Sequence, residues 1–316
     1  MLRTFGRIVG GLVLVMLVLG AVFYLRPLWV SDQLLRFKMW RQGVKNGYVT
    51  LEGHRIHYVE AGPANGKPLL LIHGLGSRIE DWAELIPRFA GAGYHVYAPD
   101  LLGYGRSEQP RDSDYSIGVE EQVVVQYMDA MQLRQPDVLG WSMGGWIAMR
   151  IAVDHPLRVR RLGVYDTAGL YFPVDFSFDS FTPKSVDQVA DLLRVLEPVP
   201  AKLPDFVSRD VVRKAASSGW VTERSIHAMT IGRELMDFRL DGLKQPTLIV
   251  WGKQDHLIPL ETGVRLQQLV PQARLEVVDG CGHLAPRECP VPVFEATKEF
   301  LASEPATAGG RREWPR

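Results

Sequence analysis

The sequence lacks an excess of charge of either sign, a metal-binding pattern and a glycine-rich phosphate loop. Its 316 residues include 36 lysines and arginines and 36 aspartates and glutamates, so the formal net charge is zero. This balance gives no indication of a nucleic-acid partner. Because we find no ligand spacing for a metal and no phosphate-binding glycine pattern, we expect neither a metal nor an organic cofactor. The sequence also has no internal repeat.

Cysteine is also scarce, since Cys281 and Cys289 are the only two in the chain. Two cysteines are too few for a disulfide framework. They would pair if this part of the chain is exported, and the bond would then close a short loop. Otherwise they would be free buried thiols, and the sequence leaves both alternatives open.

One long apolar run is present, near the N-terminus. Ile8 to Leu25 form eighteen uncharged residues, and a helix of that length measures about 27 Å, the lower limit for crossing a bilayer. Arg3 and Arg7 precede the run. Aromatic and basic residues follow it, as at a membrane interface: Phe23, Tyr24, Arg26 and Trp29. These bulky residues and the length of the run favour an uncleaved anchor over residues 1–27 rather than a cleaved secretory signal.

Residues 28–45 are predicted to form a basic and aromatic juxtamembrane helix, with Ser31 near its start and Gly43 near its end. The helix would either lie in the lipid headgroup layer or pack on the domain that follows. Its basic residues favour the cytoplasmic face, but large domains are translocated despite such charges, so the orientation stays open. The Gly6-x-x-x-Gly10 pattern would allow two copies to form a homodimer through the N-terminal helix.

A Gly-x-Ser-x-Gly pattern lies between a predicted strand and a predicted helix. Residues 140–145 are Gly-Trp-Ser-Met-Gly-Gly, and they follow the apolar segment 136–139. A strand, a tight turn and a helix around this pattern hold the serine in a strained conformation at the positive end of the helix. Ser142 is therefore a candidate nucleophile.

Two further predicted strands are followed by the groups that a serine nucleophile needs. Asp255 follows the strand that begins at residue 248, and His283 follows the strand 275–279. His283 would take the serine proton, and Asp255 would hold the imidazole tautomer. Asp166 also ends a strand and is the alternative acid. His256 would point away from the Asp255 side chain in an extended segment, and His73 is expected to support the neighbouring loop.

With these motifs in this order, residues 46–303 resemble the α/β-hydrolase superfamily. The resemblance implies an α/β fold with a mostly parallel sheet, helices on both faces and a helical lid. It also implies an oxyanion hole formed by the backbone N–H groups of Leu75 and Met143. After the anchor and the juxtamembrane helix, we predict a core over residues 46–169 and 240–303 and a cap over residues 170–239. The cap would contain helices at 185–196, 210–218 and 221–235. Residues 304–316 would form a disordered tail.

Within the superfamily, the chain is most similar to membrane-anchored monoacylglycerol lipases and related bacterial esterases or lipases. The similarity rests on the N-terminal span, the basic connector, the residues Gly-Trp-Ser-Met-Gly-Gly and the modest cap. It implies a single-pass protein of the bacterial inner membrane that contacts membrane lipids. Its substrates would be acyl esters such as monoacylglycerols, lysophospholipids or phospholipids, cleaved through an acyl-enzyme on Ser142. A carbon–carbon bond hydrolase with the same triad and a ligand-binding protein with little turnover are the alternatives.

Overall fold

The computed structural model describes residues 2–303 and 309–316. Within these residues the strands form one sheet in the order β1-β2-β4-β3-β5-β6-β7-β8-β9. Strand β2 pairs antiparallel with β1 and β4, and every other neighbouring pair is parallel. The predicted mostly parallel sheet is therefore confirmed. The strands are β1 (Lys45–Leu51), β2 (His54–Ala61), β3 (Lys67–Ile72), β4 (Tyr94–Pro99), β5 (Asp137–Trp141), β6 (Leu162–Tyr165), β7 (Thr247–Gly252), β8 (Arg274–Val278) and β9 (Arg311–Trp314).

Helices cover both faces of this sheet. The central strands carry apolar side chains on both faces, so each face needs a layer of helices to bury it. In β3, Leu70 and Ile72 join one buried cluster, whereas Leu69 and Leu71 join the cluster on the opposite face. The helices are α1 (Leu2–Leu25), α2 (Pro27–Arg41), α3 (Ile86–Gly91), α4 (Ile117–Ala130), α5 (Met143–Asp154), α6 (Val186–Leu196), α7 (Asp205–Thr230), α8 (Leu260–Leu269), α9 (Ala285–Glu288) and α10 (Pro290–Ala302).

The two N-terminal helices lie outside the sheet and its covering helices. The segment Arg7–Leu25 of α1 is long and apolar enough to cross a membrane, and none of it is buried. Helix α2 ends at Arg41 rather than at residue 45, because Gly43 turns the chain with a φ of +84° and β1 begins at Lys45. Phe206 of α7 packs against Tyr24, with ring centroids 5.2 Å apart, so the end of α1 contacts the predicted cap.

The region predicted as a cap contains a 3₁₀ helix at Phe178–Phe181 and the helices α6 and α7. Two separate helices were predicted at 210–218 and 221–235, with a break at Gly219. That prediction was wrong, because α7 continues through Gly219. A Cβ atom at residue 219 would lie 3.0 Å from Cγ2 of Thr182, so the glycine permits close packing within an unbroken helix.

The prediction of a disordered tail over 304–316 was also wrong where the structure describes it; residues 304–308 lie outside the described residues. Residues 311–314 form β9 and pair with β8 at the edge of the sheet. Glu276 of β8 is fully buried and accepts hydrogen bonds from Nε of Arg312, at 2.9 Å, and from Nε1 of Trp314, at 2.6 Å. These contacts with a distant strand order the segment.

Candidate active site

Ser142 occupies the turn between β5 and α5. Its φ of +55° and ψ of −122° lie outside the regions that L-residues favour. Its backbone N–H donates to the carbonyl oxygen of Tyr165, at 2.9 Å, which connects the turn to β6. A Cβ atom at Gly140 would overlap the carbonyl of Gly144, and one at Gly144 would overlap the carbonyl of Ile72. The tight turn therefore requires both glycines.

The structure brings the predicted nucleophile, base and acid together. Nε2 of His283 lies 2.9 Å from Oγ of Ser142, and Nδ1 of His283 lies 2.9 Å from Oδ2 of Asp255. The other Asp255 oxygen accepts the N–H groups of Leu257, at 2.8 Å, and Ile258, at 2.9 Å. A neutral imidazole with its hydrogen on Nδ1 satisfies these contacts, since it donates to the carboxylate and accepts from the serine hydroxyl.

The loop that carries His283 is held from several directions. The carbonyl oxygen of His283 accepts a hydrogen bond from Nε1 of Trp141, at 2.8 Å. The N–H of Gly282 donates to Oε2 of Glu288, also at 2.8 Å. Cys281 and Cys289 form a disulfide, with their Cα atoms 6.3 Å apart. Of the two alternatives that the sequence left open, the structure therefore has the bonded pair, which closes a loop around the histidine.

The predicted oxyanion donors lie on the two sides of Ser142. Met143 is the first residue of α5, where the N–H groups have no acceptor within the helix. On the other side, a Cβ atom at Gly74 would lie 3.0 Å from Cβ of Ser142, so the loop containing Leu75 passes directly beside the serine. The structure thus places both predicted residues around the nucleophile.

His73 orients the peptide that carries the Leu75 N–H. Its Nδ1 donates to the carbonyl oxygen of Gly74, at 2.9 Å, and its Nε2 accepts the N–H of Leu101, at 2.9 Å. Burial lowers the pKa of His73, which favours the neutral form that these two bonds require. Both ring nitrogens of His73 are therefore used by the loop and its neighbour, in agreement with its expected role, and neither is bonded to the Ser142 hydroxyl in the described part of the chain.

Asp166, the alternative acid, ends β6 beside the predicted acid and has a different partner. Its Oδ1 accepts the N–H of Gly252 in β7, at 2.7 Å, so it joins the ends of two neighbouring strands. Burial and the nearby charge of Asp255 raise the pKa of Asp166 well above the ordinary value of a carboxyl group. Asp166 is therefore bonded to the backbone of β7, whereas Asp255 is the carboxyl group in contact with His283.

A second buried histidine–carboxylate pair escaped the sequence analysis. Nδ1 of His57 lies 2.6 Å from Oδ2 of Asp100, and both side chains are fully buried. Asp100 also accepts the N–H groups of Ile79 and Arg106, at 2.9 Å each. The pair forms because β2 aligns antiparallel with β4. No local motif surrounds His57, so only the strand pairing reveals this contact.

Comparisons with known proteins agree with this architecture. Residues 69–296 match the model of the alpha/beta hydrolase family. The chain is 32% identical to a 2-hydroxymuconate semialdehyde hydrolase of Pseudomonas sp. (strain CF600), over 77% of this chain and 89% of that relative. It is 27% identical to lipase 3 of Moraxella sp. (strain TA144), over 85% of this chain and 86% of that lipase.

Among solved structures, a membrane phospholipase and a meta-cleavage product hydrolase are both similar to this chain. A membrane phospholipase A described as a bacterial virulence factor has a TM-score of 0.80 and 25% identity, covering 94% of this chain and 98% of its own. A meta-cleavage product hydrolase from Pseudomonas fluorescens IP01 has a TM-score of 0.72 and 26% identity, covering 81% of this chain and 97% of its own.

Proposed function

The chain belongs to the alpha/beta hydrolase family, and we propose that it is a membrane-anchored serine hydrolase that cleaves carboxylic esters of acyl lipids. The observation that carries this proposal is the chain of contacts from Ser142 through His283 to Asp255, with 2.9 Å at each step. Such a chain supplies the base that a serine hydroxyl needs at neutral pH. The three side chains are buried at the ends of β5, β7 and β8, on a rigid scaffold.

The geometry fits a two-step acyl transfer. Oγ of Ser142 attacks the ester carbonyl carbon while its proton passes to Nε2 of His283, and the N–H groups of Met143 and Leu75 stabilise the resulting oxyanion. His283 then gives the proton to the leaving alcohol, and the carbon–oxygen bond breaks to form the acyl-enzyme. Water, deprotonated by the same imidazole, releases the carboxylic acid and restores the serine.

The N-terminal helices support a lipid substrate. The span within α1 has no buried residues, and α2 presents four large apolar side chains to the outside, each more than half exposed: Trp29, Leu34, Phe37 and Trp40. A helix with such a face suits the headgroup layer of a bilayer. An enzyme held there meets amphiphilic esters where they partition.

The coverage of the solved neighbours supports the same choice. The membrane phospholipase A matches 94% of this chain, which leaves about 19 of 316 residues unmatched. Helices α1 and α2 together extend from residue 2 to residue 41, so that match includes at least part of them. The meta-cleavage hydrolase matches 81%, which leaves about 60 residues without a counterpart. The phospholipase match therefore includes part of the N-terminal helices, whereas the share matched by the meta-cleavage hydrolase is small enough to omit both of them.

A carbon–carbon bond hydrolase is the second candidate. The 32% identity to the 2-hydroxymuconate semialdehyde hydrolase favours it, since that relative covers most of this chain. The same serine, histidine and aspartate would serve in such an enzyme. Direct comparison of an acyl ester with a meta-cleavage dienoate separates the two candidates.

We place the catalytic domain on the exported side of a bacterial inner membrane, with α1 as a single-pass anchor. The disulfide between Cys281 and Cys289 supports this side, because disulfides persist in oxidising compartments. Pairing of two copies through α1 stays a prediction from the glycine spacing. Fractionation of the full chain and of a chain lacking residues 2–25 measures the anchoring. The first should sediment with membranes, and a smaller fraction of the second should do so, because it keeps only the apolar face of α2.

The experiment that tests the proposed activity is labelling with a serine-reactive fluorophosphonate, run beside a graded substrate series. The series extends from short-chain esters through monoacylglycerols to phospholipids and includes a meta-cleavage dienoate. We expect the wild type to label and to hydrolyse long-chain esters. Ser142→Ala should do neither, and it should stay folded because alanine keeps the serine backbone. Ser217→Ala, on the exposed surface of α7, is the matched control and should behave as wild type.

The outcomes separate the candidate functions. Turnover of long-chain esters supports the lipase proposal, and turnover of only short-chain esters reduces it to a general esterase. Preferential turnover of the dienoate would favour the carbon–carbon bond hydrolase. A folded wild-type protein that neither labels nor turns over any substrate would indicate a ligand-binding role.

A further inference from the structure

Helix α2 is joined by two ion pairs to the segment that follows the predicted oxyanion loop. Oδ1 of Asp32 lies 2.6 Å from Nη2 of Arg78, and Nε of Arg36 lies 2.6 Å from Oε1 of Glu80. Arg78 and Glu80 also face each other, with Nε and Oε2 3.6 Å apart. The four side chains therefore form one connected network between α2 and residues 78–80.

This network is shielded from solvent. The side chain of Glu80 is 3% exposed, and none of the other three is more than 27% exposed. At that degree of burial, removing one partner leaves the opposite charge with only the weaker Arg78–Glu80 contact, and this favours a shift of the segment that carries it. Loss of Asp32 would thus change the position of Arg78, and loss of Arg36 would change the position of Glu80.

Arg78 is three residues from Leu75, and short contacts connect the two ends of this loop. The N–H of Ser77 donates to the carbonyl oxygen of Gly74, at 3.2 Å, and Oγ of Ser77 donates to Oδ2 of Asp81, at 2.7 Å. His73 holds the Gly74 carbonyl at the start of the loop. The N-terminal end of the loop is therefore fixed within the sheet, while its C-terminal end is fixed partly by α2.

We propose that Asp32 and Arg36 of α2 are positioning residues for the oxyanion loop, so that the membrane-proximal helix is a component of the active site. This inference rests on the proposed function, because it requires ester hydrolysis at Ser142 with Leu75 as a donor. Neither residue contacts the reacting atoms. They act through Arg78 and Glu80 on the position of the Leu75 N–H, and a shift of about 1 Å in such a group lowers catalysis by up to about a hundredfold.

The test uses the full chain in detergent micelles and a soluble short-chain ester. Asp32→Asn and Arg36→Gln should each lower kcat about tenfold and leave KM within about twofold, since the acyl pocket is unchanged. Arg36→Lys keeps the charge and should recover most of kcat. Arg41→Gln, at the exposed end of the same helix, is the control and should equal wild type. Titration of the active sites with fluorophosphonate expresses kcat per competent site, so partial unfolding does not imitate the effect.

Three results would overturn the inference. The first is an unchanged kcat in both variants. The second is a loss on vesicle-borne lipid with full activity on the soluble ester, which would make α2 a membrane contact only. The third is a loss in Arg36→Gln that Arg36→Lys does not recover. A wild type without labelling or turnover would instead contradict the proposed function, before any variant is compared.

Discussion

The backbone N–H of His283 donates a hydrogen bond to the carbonyl oxygen of Leu196, with nitrogen and oxygen 3.0 Å apart. Leu196 is the last residue of α6, so the cap is attached directly to the loop that carries the predicted base. The predicted cap therefore contacts the backbone of the predicted base, and we expect this contact to help position the imidazole.

The residue before the histidine offers a test of this contact. A Cβ atom at Gly282 would lie 2.8 Å from the Leu196 carbonyl oxygen and 2.7 Å from Cδ of Pro198. Gly282→Ala should therefore displace the cap or the histidine and lower kcat on a soluble ester by about 10- to 100-fold. Gly91→Ala, where nothing lies within 4 Å, is the control and should match wild type. Wild-type turnover by Gly282→Ala would show that the contact has no role in positioning.

Asp166, which follows β6, and Asp255, which follows β7, should respond differently to substitution by asparagine. Asp255→Asn should lower kcat by roughly 10³–10⁴-fold, because the amide no longer holds the imidazole in the required tautomer. Asp166→Asn should stay within about threefold of wild type, since burial and the charge of Asp255 already raise the pKa of this carboxyl group and an amide keeps an acceptor for the Gly252 N–H. Measurement of kcat for both variants decides the assignment, and an equal loss in both would contradict it.

The disulfide should stabilise the loop around His283. The purified, unreduced protein should show no reactive thiol after denaturation and two after reduction, counted with a thiol reagent. The two cysteines are eight residues apart in sequence, and a bond that closes such a loop lowers the entropy of the unfolded chain by an amount worth about 2–3 kcal/mol. Cys281→Ser combined with Cys289→Ser should therefore lower the free energy of unfolding by about that amount and reduce kcat. Two reactive thiols in the unreduced protein would contradict both the bond and the proposed exported location.

Asp137, at the start of β5, should make stability depend on pH. Burial raises the pKa of its carboxyl group from 3.8 to about 6, against the opposing effect of Arg160. The folded state thus binds this proton more tightly than the unfolded state, so the contribution to stability is present below pH 4 and is lost as the pH rises through 6. One pKa unit corresponds to about 1.4 kcal/mol, so the loss amounts to about 3 kcal/mol.

The variant Asp137→Asn isolates this effect. Chemical denaturation in detergent at pH 4 and pH 7 gives the difference in unfolding free energy between wild type and variant. That difference should change by about 2.4 kcal/mol in favour of the variant between these two pH values, because part of the effect is already lost at pH 4. Parallel pH profiles for the two proteins would show that the carboxyl group titrates normally in the folded state.

Local patterns in the sequence were sufficient for the fold and for the candidate site residues. Buried strands such as β3 are continuous apolar runs, and residues 140–145 contain the glycines that a tight strand-to-helix turn needs. The confirmed α/β-hydrolase fold follows from these patterns because each depends on neighbours within a few residues. Ser142, Asp255 and His283 were named from the same patterns, and their catalytic roles stay predictions.

Contacts between distant residues decided the rest. Asp166 and Asp255 both end strands, and only the packing of β6, β7 and the His283 loop determines which one reaches the imidazole. Residues 311–314 have no apolar periodicity and become β9 because β8 offers a free edge and the buried acceptor Glu276. Strand pairing, helix docking and disulfide formation depend on which surfaces meet in the folded chain. A pattern of neighbouring residues does not contain that information.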